Sequence, residues 1–236
     1  MIKFHAFFLA AICLVMPAPA ADWDTKDMRL TDYQSLPHLR VNTSIGLCYR
    51  FGSVSTDLNN DLQSYIYGLR VGRNLSADAA YFFSEYFGAG IDYSYFTASN
   101  YLESAVVSDP ETGRLMGMGV MQDEIGLHAV GPAFLFGYLV GSGNMFLLLS
   151  LAPVKLIYGD KQLLMDKTFD IEGSTWGLHS RIAFDYRILQ FLGLGIDVAH
   201  LYSPSVKLTV NGVSGAVKDK EPLGSMTYSV GLKFYL

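Results

Sequence analysis

The feature that most constrains this chain is the alternation of apolar residues with polar residues or glycine over segments of about ten residues, the length expected of transmembrane strands. Successive side chains of an extended strand point to opposite faces, so each segment has one apolar and one polar face. A helix would instead place its apolar residues three and four positions apart. The alternating segments that predict strands are 39–51, 64–72, 87–95, 176–187, 192–200 and 226–236.

The stretch 129–154 carries no charge and is long enough to suggest a membrane-spanning helix. Gly141, Ser142, Gly143 and Asn144 form a turn signal that divides it into two pieces of about ten residues, which suit tilted strands. These two pieces bring the number of strands to eight. Because lipid offers the backbone no hydrogen-bond partners, we expect an all-β, eight-stranded antiparallel transmembrane β-barrel, an up-and-down meander whose last strand pairs with its first.

The first residues have the pattern of a secretory signal. Lys3 precedes an apolar run over 4–16, and Ala18 and Ala20 provide the small residues of a cleavage site. We therefore predict a signal peptide over 1–20, a periplasmic N-terminal segment over 21–38 and an outer-membrane barrel over 39–236. Residues 1–20 contain Cys13, so the mature chain would keep Cys48 alone and could form no internal disulfide.

The connections between the predicted strands alternate in length. Short links are predicted at 139–144 and 188–191 and a medium one at 74–83, as for periplasmic turns. The long polar links, as for extracellular loops, are predicted at 52–63, 97–124, 159–174 and 203–224. Because long loops are commonly functional, 97–124 and 203–224 are the candidate contacts for an extracellular partner.

Charge and composition exclude other classes of function. The net charge is −5 and no run of Lys or Arg is present, so a nucleic-acid partner is not expected. The cysteine and histidine spacing matches no metal site, and no cofactor is predicted.

The polar faces of the strands should line the lumen. A lumen of eight strands holds only packed side chains or one small ligand, so we predict no diffusion pore. Opposite charges should pair there because an unpaired buried charge is costly, and Arg181 is expected to face Asp197 across the turn at 188–191. The predicted lumen charge network consists of Arg40, Arg50, Arg70, Asp92, Arg181, Asp185, Asp197 and Lys233.

The two central strands, near 125–137 and 145–157, are apolar on both faces. Their inward residues either fill the lumen as an ordinary core or line a pocket for a small lipophilic ligand, and the sequence leaves both interpretations open.

The chain resembles the eight-stranded outer-membrane barrels of the OmpA/OmpX type, especially the porin-like family of Bacteroidetes. The resemblance implies a Gram-negative cell envelope, residence in outer-membrane lipid and insertion by the barrel-assembly machinery. It also implies an aromatic terminal residue, where this chain has Leu236. The matching segments are FGAGIDYSY (87–95), VGPAF (130–134), LGLGIDVAH (192–200) and YSVGLKFYL (228–236).

Three functional hypotheses follow. The leading one is a structural or loop-presenting barrel without enzymatic activity, and the second is a carrier or sensor of a lipophilic ligand. The third, a lipid A-modifying enzyme, depends on His200, Ser203 and Glu221. His200 and Ser203 are three positions apart and so point to opposite faces of a strand, which does not favour a nucleophile paired with a base.

Overall fold

The computed structural model describes residues 38–52, 59–108, 115–140, 144–204, 206, 208–212 and 223–236. The predicted signal peptide lies outside the described residues, as does the N-terminal segment up to residue 37. The elements are β1 (Leu39–Arg50), α1 (Asn60–Gly68), β2 (Val71–Phe82), β3 (Phe87–Ser108), β4 (Leu115–Val140), β5 (Met145–Leu164), β6 (Lys167–Arg187), β7 (Leu192–Tyr202), β8 (Leu208–Val210) and β9 (Ser225–Tyr235).

Eight strands, β1 to β7 and β9, form a closed antiparallel ring in which each strand pairs with its neighbours along the chain. The ring closes between β9 and β1, where Arg40 faces Tyr235 in the register. The backbone N–H of Leu39 donates to the carbonyl of Leu236 at 2.9 Å, and the N–H of Leu236 donates back to Leu39 at 2.8 Å. The predicted eight-stranded meander and its pairing of first and last strands are confirmed. Helix α1 is shorter than a membrane crossing requires, and no described helix is long and apolar enough for one.

The outer surface of the ring is an apolar band. On β1, Ile45 and Leu47 are more than 60% exposed, while the alternating Arg40 and Asn42 are fully buried in the lumen. This is the inverse of a water-soluble barrel, whose exposed face would be polar. Strand β1 thus turns outward the apolar side that the sequence pattern predicts.

The prediction of a strand at 64–72 is wrong, because residues 64–68 form the C-terminal half of α1. The side chain of Asn59 caps the helix by accepting a hydrogen bond from the N–H of Leu62 at 2.8 Å. The buried residues Tyr65 and Leu69 are four positions apart, as on one face of a helix. Ile66, which breaks the alternation, is partly buried against the same core and was the sign of helical spacing.

The second strand of the ring is β2, at 71–82, where the sequence predicted a link at 74–83. Its inward residues alternate as in the other strands, but its outward set includes Ala77 and Ala79, which are too small to show the pattern. The connection to β3 is the short segment 83–86.

The predicted long links at 97–124 and 159–174 are not loops, because β3 to β6 continue through them as two long hairpins. Pairing of β3 with β4 continues to Ser108 and Leu115, with a bulge between Leu102 and Ala105. Pairing of β5 with β6 continues to Leu164 and Lys167. Polar and apolar residues are mixed on both faces of these extensions, so a search for regular apolar alternation does not detect them. Outside the ring, β8 pairs with the extension of β6.

Candidate functional site

A chain of alternating charges crosses the lumen, with Asp78 of β2 at its centre. One oxygen of Asp78 accepts from Arg40 Nη1 at 2.7 Å. The other accepts from Asn42 Nδ2 at 2.6 Å and from Arg181 Nη1 at 2.5 Å. Arg181 also bonds to Asp92 through Nη2, and Asp92 in turn bonds to the ring of His179. All these side chains are buried, so the lumen at this level is closed by ion pairs between strands.

The network of charges continues from Arg40 towards the end of the barrel that has the short turns. Arg40 Nε donates to Asp185 at 2.9 Å, and Tyr235 Oη donates to the same carboxylate at 3.1 Å. Lys233 Nζ lies 2.7 Å from both oxygens of Asp197 and 3.7 Å from Asp185. The network thus joins β1, β2, β3, β6, β7 and β9 across the lumen.

Most of the predicted lumen charges lie in this network, but two do not. Arg50 lies nearer the outer mouth, with its guanidinium 5.8 Å from the ring of Phe96 and 5.6 Å from that of Tyr158. Arg70 follows α1 and stacks over the exposed ring of Tyr67 at 5.0 Å. The predicted members within the network are Arg40, Asp92, Arg181, Asp185, Asp197 and Lys233.

The predicted contact between Arg181 and Asp197 is wrong. In the register of β6 and β7, Arg181 faces Ala199, and Asp197 faces Ala183. The side chain of Arg181 crosses the lumen to β2 and β3, while Asp197 is paired with Lys233 of β9. Counting residues back from a turn gives the face of each side chain but not which opposing strand it reaches.

The sequence interpretation missed Asp78 and His179 as members of the network. Asp78 was assigned to a link because β2 was placed too early in the chain. His179 was not included among the predicted lumen charges, although it lies on the same face of β6 as Arg181. Asn74, Ser76 and Asp78 are polar residues spaced two apart, and this spacing could have identified an inward strand face. That face lies beside the inward face of β1, which carries Arg40 and Asn42.

The glycine in the middle of β7 provides space for the charges. A side chain added at Gly195 would collide with the carboxylate of Asp185 and with Lys233 Cε. The absence of a side chain lets both charged groups meet against the wall of the barrel, which is a packing role for this glycine.

The other side of the lumen, formed mainly by β4 and β5, is apolar and filled. Phe146, Leu148, Val154 and Leu156 are at most 1% exposed, and Phe146 packs edge-on against Phe82 at 5.9 Å between ring centroids. A lumen cavity beside Phe96 has a volume of about 10 Å³, room for about one water molecule. Of the two interpretations of these apolar strands, the structure favours an ordinary core.

Helix α1 covers the outer mouth of the lumen, where Tyr65 is 3% exposed and its carbonyl accepts from Asn100 Nδ2 at 2.6 Å. Tyr65 lies close to Asp123 of the β4 extension. Burial raises the pKa of the Asp123 carboxyl above its usual value, although hydrogen bonds with Tyr65 and Gln162 oppose the shift. Burial and the neighbouring Asp123 also raise the pKa of the Tyr65 phenol. The helix therefore covers a carboxyl group that binds a proton more readily than a carboxyl in water does.

Docking of α1 should weaken as the pH rises. Because the Asp123 pKa is raised in the docked state, its favourable contribution is complete below the ordinary Asp pKa and is lost as pH rises through the raised value. Asp123→Asn should therefore slow hydrogen exchange of the α1 amides severalfold at neutral pH, after correction for intrinsic exchange rates. Glu124→Gln, on the exposed face of the same strand, is the control and should leave this exchange unchanged. Faster exchange of α1 in Asp123→Asn would contradict the assignment.

The candidate catalytic residues are not brought together. Ser203 is buried and its hydroxyl donates to the carbonyl of Pro204 at 2.7 Å, whereas His200 is exposed with its ring 5.9 Å from that of Phe51. Glu221 lies outside the described residues. Within the described ranges, no three His, Cys, Asp or Glu side chains are grouped as metal ligands.

Comparisons with known proteins show the fold. No family model and no curated protein matches the chain. Among solved structures, Neisserial surface protein A is 12% identical with a TM-score of 0.52, and the match covers 84% of this chain and 97% of that one. A major outer membrane protein of Thermus thermophilus is 12% identical with a TM-score of 0.51, covering 84% and 99%.

The outer membrane protein OprG of Pseudomonas aeruginosa is similar to the same degree. It is 12% identical with a TM-score of 0.51, and the match covers 87% of this chain and 99% of OprG. The chain therefore has the eight-stranded antiparallel barrel fold of outer-membrane proteins.

Proposed function

We propose that the protein is an integral β-barrel of the bacterial outer membrane that presents its long outer hairpins to an external partner and does not act as a pore. Unequal strand length is the observation that carries this proposal. β1, β2, β7 and β9 have 11 or 12 residues, about what a tilted strand needs to cross a membrane. β3 to β6 have 20 to 26 residues and continue well beyond the membrane.

The exterior of the ring supports residence in lipid. Aromatic side chains mark both rims of the apolar band, with Tyr81 and Phe83 more than half exposed at the end with short turns, and Trp176 and Tyr202 equally exposed at the other. Such rings favour the headgroup level of a bilayer. The predicted signal peptide and the resemblance to the porin-like family of Bacteroidetes agree with this location, and insertion would depend on the barrel-assembly machinery.

The closed lumen supports a structural or surface role over transport. The charge network and the apolar core occupy the cross-section, and α1 covers the outer mouth. On the extended hairpins, the exposed acidic side chains Glu103, Glu124, Asp166, Asp170 and Glu172 outnumber the exposed Lys161 and Lys167. We therefore expect the hairpins to contact a partner with positive charge.

The proposal is tested by shortening one hairpin. Replacing residues 103–119 with a short turn should leave a heat-modifiable barrel in the outer membrane, because none of the residues described in this range lies in the charge network or in the lumen core of the ring. The same change should abolish attachment of cells to their host surface or other cell-contact phenotypes that the wild type supports. Unchanged contact phenotypes with the shortened, correctly inserted variant would refute the surface role.

Two cysteine variants establish which end faces outward. In wild type the buried Cys48 should not react with a membrane-impermeant maleimide on intact cells. Thr168→Cys at the outer tip of β6 should react, and Glu85→Cys in the short turn after β2 should react only after the outer membrane is permeabilised. Labelling of Glu85→Cys alone on intact cells would reverse the proposed orientation.

A further inference from the structure

Two prolines face each other in the wall of the barrel, on the seam along which β4 and β5 pair. Pairing of these strands is interrupted over 131–133 and 152–154 and keeps the same register on both sides of the interruption. That register places Pro132 of β4 directly opposite Pro153 of β5. Both prolines are exposed on the outer face, within the apolar band. Because proline has no backbone N–H, neither residue can donate to the other strand.

The hydrogen-bond pattern of the seam requires both of the missing donors. In an antiparallel ladder, every second pair of residues exchanges two hydrogen bonds. Between β4 and β5 these pairs fall on the even-numbered residues of β4, because the N–H of Met165 donates to the carbonyl of Val120 at 2.7 Å. Pro132 and Pro153 occupy one such pair, so two hydrogen bonds are lost and the ladder supplies neither carbonyl with a donor. In lipid, a backbone carbonyl without a donor is costly.

The interruption is confined to this seam. Between β3 and β4 the bonded pairs fall on odd-numbered residues of β4, because the N–H of Gly137 donates to the carbonyl of Tyr86 at 2.7 Å, so Pro132 needs no N–H on that side. Pairing of β4 with β3 and of β5 with β6 continues past both prolines. The closing seam between β1 and β9 is paired without a break from Arg40 to Arg50. Among the described pairings between the two aromatic rims, only that of β4 with β5 is interrupted.

Little else joins the two strands at this level. The bonded pairs on either side of the gap are four residues apart, so β4 and β5 run for about 14 Å without a hydrogen bond between them, twice the usual interval. The inward side chains at the gap are the small Ala133 and Ala152. A Cβ added at Gly131 would collide with the carbonyl oxygen of Pro153, so the neighbouring position has no room for a side chain.

The charge network of the lumen does not cross this seam. Its described ion pairs connect β1, β2, β3, β6, β7 and β9, and none of them includes a residue of β4 or β5. Arg181 of β6 reaches Asp92 of β3 directly across the lumen. The wall can therefore part between β4 and β5 without breaking an ion pair of the network.

We propose that the β4–β5 seam is a lateral opening in the wall of the barrel, where the two strands part towards the membrane while the charge network keeps the rest of the ring closed. The opening is bounded by the bonded pairs on either side of the gap and leads from the lipid side to Ala133 and Ala152. A molecule that enters it must be slim and uncharged, because the opening connects an apolar outer band with a packed apolar core. This property of the wall is independent of the outer hairpins that carry the proposed function.

Single cysteines in the full-length barrel, reconstituted in lipid vesicles with Cys48→Ser to remove the buried native thiol, measure the opening. Ala152→Cys lies at the gap. Ala183→Cys on β6 is the matched control, because both alanines are inward and 0% exposed and residue 183 is paired on both sides. An uncharged, lipid-soluble maleimide should modify Ala152→Cys about tenfold faster than Ala183→Cys, a free-energy difference of about 1.4 kcal/mol. The mass of the intact protein measures both rates.

Restoring the missing donors should close the opening. Pro132→Val combined with Pro153→Val supplies two N–H groups and should lower the rate at Ala152→Cys to that of the control. In the barrel with its own alanines, the same two changes should slow hydrogen exchange of the Phe134 and Leu151 amides severalfold, because this bonded pair borders the gap. The exchange measurement needs no cysteine variant, so it tests the proposal even where such a variant does not fold.

Equal rates at the two cysteines, or a rate at Ala152→Cys that the two valines leave unchanged, would overturn the proposal. Unchanged exchange at Phe134 and Leu151 would also overturn it. Faster modification of Ser44→Cys, an inward and buried position on the closing seam, would show that the ring opens where its first and last strands meet instead. Rates are compared only for samples that give a heat-modifiable band, so that misfolded protein does not contribute.

Discussion

Asp78→Ala should lower the free energy of unfolding of the barrel by about 3–5 kcal/mol, the cost of removing one partner from a buried ion pair. Asp78 accepts hydrogen bonds from Arg40, Asn42 and Arg181. Without the carboxylate, two guanidinium groups remain buried, and Arg40 keeps Asp185 while Arg181 keeps Asp92. Urea titration of the barrel refolded in detergent, followed by loss of the heat-modifiable band, measures the change.

The matched control is Glu103→Ala, which removes an exposed carboxylate from the β3 extension and should change the unfolding free energy by less than about 0.5 kcal/mol. Asp78→Asn should give an intermediate loss, because an amide oxygen still accepts hydrogen bonds but carries no charge. A loss for Asp78→Ala no larger than that of Glu103→Ala would show that the network contributes little to stability.

Phe146→Ala should lower the unfolding free energy by about 3–5 kcal/mol for a different reason, the cavity left in a packed core. Phe146 is 1% exposed and packs against Phe82 on the apolar side of the lumen. Its ring also covers Gly137, where an added Cβ would lie 2.6 Å from Phe146 Cζ. The same urea titration measures the loss.

A compensating change separates cavity formation from other causes. Gly137→Leu alone should destabilise the barrel by collision with Phe146, but together with Phe146→Ala it should fill the cavity and recover part of the loss. Phe134→Ala, on the exposed face of β4 where the side chain is 66% exposed, is the control and should cost much less. Purely additive effects of the two lumen changes would contradict this account of the packing.

The sequence was sufficient to predict the barrel because most strands of the ring carry an apolar outer face, as residence in lipid would require. Alternation identified β1, β7 and β9 nearly to the residue, and the turn signal at 141–144 separated β4 from β5. Alternation did not identify β2, because the small outward alanines of this strand do not stand out as apolar residues. It also assigned part of α1 to a strand, because the apolar residues of the helix were interpreted as alternating. In the outer hairpins polar and apolar residues are mixed on both faces, so their strands carried no regular alternation to detect.

The lumen network was predictable as a set of inward charges but not as a set of contacts. The alternation of side chains along each strand assigned Arg40, Arg181 and Lys233 to the inner face, where the structure places them. Their partners depend on strand stagger and on side-chain reach across the lumen, which one sequence does not specify.

The ion pairs of the lumen also have a consequence for biogenesis. Arg40 and Lys233 come from the first and last strands, whereas Asp185 comes from β6. A partly assembled sheet would therefore expose unneutralised groups of both signs to hydrocarbon, at a high free-energy cost. All of these charges are paired only when β9 has joined the sheet. Pairing of β9 with β1 and neutralisation of the lumen charges should therefore occur together, as one cooperative step of insertion.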